Sequence, residues 1–190
     1  MKMIIAVTFL GILMHVFAEK CELLPAVDKF DSDRYFSVLH LFVTHSKNEP
    51  KQQVCREYET RKKKNKDGTS STRMLKVYKI GGKLHKTVLN CIKTPKRGSE
   101  GQFSVKCEVK VAKNVNIKNK VQLELSVIAT DYRDYALLPI CTEKKDNILV
   151  LQSHNKGIGH SGVQKYFKAK GRPLDQWNSR TTVNCDDVKN

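Results

Sequence analysis

Acidic side chains are scarce in this chain: 19 Asp and Glu stand against 35 Lys and Arg, a formal net charge of +16. A surplus of that size disfavours self-association, so a monomer is expected, and it speeds encounter with anionic partners while saying nothing about fold. Patterns that organise chemistry are also missing. There is no Cys-x-x-Cys and no His-x-x-x-His, which removes the common zinc frameworks, and neither a metal nor a cofactor is expected. No Gly-x-Ser-x-Gly elbow occurs, and none of the histidines at positions 40, 45, 85, 154 and 160 sits beside a cysteine. A nucleophile therefore cannot be matched with a base, and no enzyme is expected. Asp186 and Asp187 read as solvent-facing carboxylates. Beyond residue 18 no apolar run approaches the roughly 18 residues of a membrane-spanning helix, and no Asn-x-Ser/Thr acceptor appears.

The first eighteen residues differ from the rest. Lys2 precedes the apolar run Met3 to Leu13, and Val16-Phe17-Ala18 has the small-x-small form of a cleavage site. Residues 1–18 read as a signal peptide and 19–190 as a single exported domain. Losing the leader removes one lysine and no acid, so the charge falls to +15. The six cysteines, Cys21, Cys55, Cys91, Cys107, Cys141 and Cys185, all lie in the exported part. An even number in an exported chain implies disulfides.

From Leu39 to Leu151 the dominant signal has period two. Phe103, Val105, Cys107, Val109 and Val111 alternate with Ser104, Lys106, Glu108 and Lys110, and Val121, Leu123, Leu125 and Val127 alternate with Gln122, Glu124 and Ser126. Neighbouring residues of a strand point to opposite sides, so these are half-buried strands that no helix could segregate. Further strands are expected at Leu39 to His45, Gln53 to Thr60, Thr72 to Lys79, Lys86 to Lys93, Tyr135 to Cys141 and Ile148 to His154, with the second alternating run extended to Thr130. Asp67-Gly68, Gly81-Gly82 and Gly98 to Gly101 supply turns. Eight such strands in meander order close into a barrel, which removes edges and leaves room for one small ligand. Val163, Tyr166 and Phe167 at helical spacing before Gly171 predict a short helix over 162–170.

Several stretches carry a resemblance. Tyr35-Phe36-Ser37 with Phe42-Val43-Thr44-His45, then Val54-Cys55-Arg56-Glu57-Tyr58, Gly101-Gln102-Phe103-Ser104-Val105, Ala129-Thr130-Asp131-Tyr132 through Ala136-Leu137-Leu138, and Val183-Asn184-Cys185 together resemble the salivary lipocalins of triatomine bugs. That branch comprises triabin, pallidipin, triplatin and triafestin. The opening Glu19-Lys20-Cys21-Glu22-Leu23 and the wording at Asp131-Tyr132 look closest to triafestin. The resemblance implies an all-β, eight-stranded antiparallel lipocalin (calycin) barrel with a short C-terminal helix. It also implies three disulfides, pairing Cys21 with Cys141, Cys55 with Cys185 and Cys91 with Cys107. Two departures stand out. The Gly-x-Trp that opens the first lipocalin strand is replaced by Leu39 and Leu41, so the floor must close differently. The histidine that binds haem in nitrophorins is matched to Val77, so haem carriage is not expected.

Two functions compete, both of them binding and both impairing host haemostasis. Arg61, Lys62, Lys63, Lys64 and Lys66 at one loop, Lys93, Lys96 and Arg97 at another, and Lys113, Lys118 and Lys120 at a third would form a basic rim for acidic proteins or anionic surfaces. Resemblance to triafestin implies contact-phase partners, factor XII and kininogen, and suppression of coagulation and kinin release; this is the favoured expectation. Alternatively, Leu41, Val43, Leu123, Leu125 and Val127 would line an apolar cavity for a thromboxane-type eicosanoid, with an Arg, Tyr or Lys at its mouth, which resemblance to pallidipin and triplatin implies. The structural role of the same residues is ordinary core packing. Nucleic acid is not expected, because no aromatics interleave with the basic run.

Overall fold

The computed structural model describes residues 21, 23–48, 51–62, 65–142, 146–154, 159–183 and 185. The expected leader, Lys63 and Lys64 lie outside these residues, as does the side chain of Lys62. Strands β1 (His40–Ser46), β2 (Arg56–Lys62), β3 (Ser70–Ile80), β4 (Lys83–Lys96), β5 (Ser99–Lys113) and β6 (Lys120–Ser126) follow one another as antiparallel neighbours. A two-residue β7 (Ala129–Thr130) pairs with β8 (Tyr135–Cys141), which also pairs with β6 and with β9 (Asp146–Gln152). Because β9 pairs with β1 as well, the ring closes on eight strands. Closure satisfies the backbone groups an open edge would expose.

Three expectations need correction. The strand expected from Gln53 starts at Arg56, because Lys51–Val54 forms a single 3-10 turn that buries Val54 completely. The strand expected from Val121 to Thr130 breaks after Ser126. There the Val127 N–H still donates to the Gly101 carbonyl of β5 (2.9 Å), but its own carbonyl accepts from the Val27 N–H (2.8 Å), so the N-terminal segment takes over that side of the ladder. A helix α1 (Ser32–Ser37) stands where none was expected. It is too short for a period to be read, but the Asp31 carboxylate accepts from the Arg34 N–H at 3.0 Å, an N-cap that satisfies one orphan donor.

Helix α1 supplies the missing floor. Its buried Tyr35 and Phe36 join Phe30, Phe103 and Tyr132 in an aromatic cluster with ring centroids 5.1–6.1 Å apart. The Tyr132 hydroxyl accepts from the Asp31 N–H at 3.1 Å, and the Arg34 guanidinium lies 4.7 Å above its ring. Gly101, at φ +81°, lies directly against the incoming N-terminal segment. A Cβ there would sit 2.7 Å from the Ala26 Cβ and 3.0 Å from the Phe30 Cγ, closer than packed atoms allow. Thus the Thr130-Asp131-Tyr132 motif and Gly101 both serve the closed end.

Outside the barrel, α2 (Ser161–Ala169) packs Val163 and Phe167 on Leu137 and Val150, close to the expected helix. Beyond it β10 (Asn178–Ser179) pairs with β1. Disulfides join Cys21 to Cys141, Cys55 to Cys185 and Cys91 to Cys107. The first two tie both chain termini to the barrel, and the third staples directly paired positions of β4 and β5. Each is worth roughly 2–4 kcal/mol by restricting the unfolded chain.

Candidate functional site

The ring of strands encloses a cavity of about 430 Å³, within the range of small-molecule sites. Strand alternation decides what faces it. Its waist is apolar, with Met74, Leu89, Leu123, Leu138 and Leu151 among the walls, and the Cys91–Cys107 bridge also lines it. Polar side chains gather above and below that waist.

Arg56 and Lys76 both line the cavity and are direct partners across β2 and β3. Burial, with the Arg56 charge beside it, pushes the Lys76 amine down to about 6. Six residues back along β3 from Lys76, roughly 20 Å at the usual rise, Ser70 stands opposite Lys93 of β4. Lys93 is only 7% exposed, and its amine lies 5.6 Å from the Tyr35 ring centre and 5.7 Å from that of Phe36. Burial alone pushes it down to about 8. Burial, with Tyr58 adding to it, pushes the Tyr35 phenol well above its ordinary range. No carboxylate among the described residues lines the cavity. The arrangement is an apolar tube with cationic and hydroxyl groups toward both ends, suited to an anionic, elongated guest.

Of the expected cavity residues, Leu41, Leu123 and Leu125 line the cavity, while Val43 and Val127 do not. Val127 lies below the floor in the backbone contacts already described, and Val43 is fully buried where β1 shifts register against β9. On β3 the inward positions near Val77 are Lys76 and Tyr78; Val77 itself is absent from the lining.

The expected rim does not form one surface. In an up-and-down barrel successive turns alternate between the two ends. The β2–β3 and β4–β5 turns share the closed end, where a Cβ on Gly68 would meet the Pro95 Cγ at 3.0 Å. Lys113, Lys118 and Lys120 belong to the opposite end, around the β5–β6 connection. Lys93 leaves the rim altogether, because its place in the alternation with Leu89 and Cys91 turns it inward. Arg61 bridges Glu59 at 3.0 Å and Lys96 bridges Glu124 at 2.9 Å, whereas Lys66 and Arg97 are exposed.

Reading by loops hid Arg56, Lys76 and Lys93. The parity of each with its cavity-facing neighbours was the available signal. One other group of ligating side chains comes together among the described residues: Asp131, Asp134 and His160, within 4.8 Å. Its acids are already engaged. One Asp131 oxygen accepts from the N–H groups of Arg133, Asp134 and Tyr135, and Asp134 bridges Arg133 at 2.7 Å. These bonds shape the turn before β8.

A family model described as Triabin matches residues 16–166. Pallidipin of Meccus pallidipennis is 51% identical over 193 residues, covering all of both chains. The platelet inhibitor triplatin-2 of Triatoma infestans is 43% identical, covering 97% of this chain and 100% of that one. Triafestin-1 of the same bug is 31% identical over 75% of this chain and 70% of its own. The wording near Cys21 and Tyr132 therefore misleads about the branch, since likeness over the full length is stronger to pallidipin. Among solved structures, the amine-binding protein of Rhodnius prolixus, in its tryptamine complex, superposes with a TM-score of 0.68 at 18% identity. That match covers 86% of this chain and 87% of the other.

Proposed function

The chain belongs to the triabin family, and from that premise we propose that it is a secreted salivary ligand-binding barrel that impairs host haemostasis by sequestering a thromboxane-type eicosanoid. The observation that carries this reading is the sign of the charge inside the barrel. Arg56, Lys76 and Lys93 all face a cavity with an apolar waist and no carboxylate among its described lining residues, a pattern that answers a long, mostly apolar chain bearing a carboxylate. Arg56 offers its guanidinium N–H donors to a carboxylate, and Lys76 beside it, held down to about 6 by burial, takes up a proton when an anion arrives. Removing such a mediator from solution would deprive platelets of an aggregation signal, in keeping with the relative named as a platelet inhibitor. An amine, the guest of the structural neighbour, would meet charges of its own sign here.

Calorimetric titration with a stable thromboxane analogue tests the reading. One site per chain is expected, with affinity little changed by salt because the contact is buried. Absence of any heat, in a preparation whose disulfides are intact, overturns it.

A second reading draws on the outside of the barrel. Exposed Lys66 and Arg97 at the closed end would support docking to acidic host proteins, with the contact-phase proteins factor XII and kininogen, or anionic surfaces, as partners. Such docking would weaken steeply between low and high salt, so the same titration with factor XII separates the two.

A further inference from the structure

A plain hydrocarbon tail needs a dry, apolar end to its tube, and this barrel does not offer one. The Lys93 amine reaches into the cavity floor over Tyr35 and Phe36. Thr72, 2% exposed and lining the same cavity, holds a buried hydroxyl with no hydrogen-bond partner. Ser70, two positions along that face and directly opposite Lys93, has another. Buried polar atoms are paired as a rule, so two unpartnered hydroxyls beside a buried amine mark a site built for something it does not itself contain.

We propose that this floor is a second polar subsite, in which the Lys93 amine and the Thr72 hydroxyl hydrogen-bond an oxygen function on the buried end of the guest. The barrel then selects chains that carry oxygen at both ends over simple monocarboxylates. Thr72 pairs with Cys91, so it is the diagonal neighbour of Lys93 on one face, a separation of roughly 7 Å between backbones that one ligand oxygen can bridge. The amine donates whether protonated or neutral, and the hydroxyl donates or accepts, so an alcohol, a ketone or a second carboxylate would all be recognised. The Arg56–Lys76 pair, roughly 20 Å away along the strands, is left for the headgroup. The inference rests on the cavity reading of the preceding subsection and adds which guests the cavity prefers.

The test compares palmitate with ω-hydroxypalmitate, which differ only at the tail, against the full disulfide-bonded chain by calorimetry. The wild type is expected to bind the hydroxy acid about tenfold more tightly, the worth of one hydrogen bond to a charged donor. In Lys93→Met the preference should disappear or reverse, because a polar tail would then enter an apolar floor. Thr72→Val, nearly the same shape, should reduce it by a smaller factor. Equal binding of the two acids by the wild type, or an unchanged preference in Lys93→Met, overturns the floor subsite and leaves the cavity reading standing. Failure of the wild type to bind any of these acids or the thromboxane analogue overturns both.

Discussion

Lys93 and Lys96 lie three residues apart on β4, yet one serves the inside of the barrel and the other its surface. Lys93 sits against aromatic rings with burial holding its amine down to about 8. Lys96 lies beside solvent and bridges Glu124 at 2.9 Å. Net charge counts the two as equal. Strand parity and the floor beneath β4 decide that one cation is a cost to the empty fold and a resource for a guest, while the other is a screened surface pair.

The comparison breaks most completely if the floor is opened. Phe36 is 1% exposed beneath Lys93, and Phe36→Ala is expected to cost about 3–5 kcal/mol in urea unfolding. Water entering there should return the Lys93 amine toward its ordinary range, which a lysine titration followed by NMR would detect. Replacing the lysines themselves sharpens the contrast through the sign of the effect. Lys93→Met should stabilise the empty protein at neutral pH by on the order of 3 kcal/mol, since it removes a buried ammonium. Lys96→Met should destabilise it by no more than about 1 kcal/mol. Two melting curves that moved the same way would contradict the distinction.

A pH series reads the same difference without mutation. With the amine pushed down to about 8 from 10.5 in the fold, both states hold the proton below pH 8, and the penalty of burying the charge is constant there. Between about 8 and 10.5 the unfolded chain holds more protons than the folded one, so stability should rise with pH. Lys76, pushed down to about 6, starts a similar rise at lower pH. Lys93→Met should flatten the upper part of the curve. The smallest effect belongs to the exterior. Replacing Arg61, Lys66 and Arg97 together with Ser should change stability by about 0.5 kcal/mol or less and leave affinity for the thromboxane analogue within about twofold. The same change should blunt any salt-sensitive binding of factor XII.

Most of the barrel was readable wherever one strand face is apolar and the other charged. β5 and β6 are of that kind, and their cross-strand register follows the alternation from Phe103↔Leu125 to Cys107↔Val121. β3 offers no such contrast. Leu75 and Val77 alternate with Met74, Lys76 and Tyr78, and Val77 is buried on the outside, where its N–H donates to the Cys55 carbonyl. A ligand cavity reverses the usual sorting by placing lysines inward, so hydropathy alone cannot find them. Assigning Lys93 to a loop because Lys96 and Arg97 follow it treated chain proximity as spatial proximity, although a strand alternates sides at every residue. Helix α1 escaped for a different reason, since six residues carry no period and only the Asp31 cap announces it. Cys91 and Cys107 were also legible from their strands, which share the turn at Gly98 to Gly101, whereas the other two disulfides were accessible through family likeness, because six cysteines admit many pairings.

Gly101 extends these observations beyond the cavity wall. The N-terminal strap nests against its bare backbone, and that close seat holds Phe30 under Phe103 and Tyr35. Any side chain there would lower the strap by about the width of a methyl group and lengthen the well above it. The ruler by which this cup measures a guest is thus set by a residue that no guest ever meets.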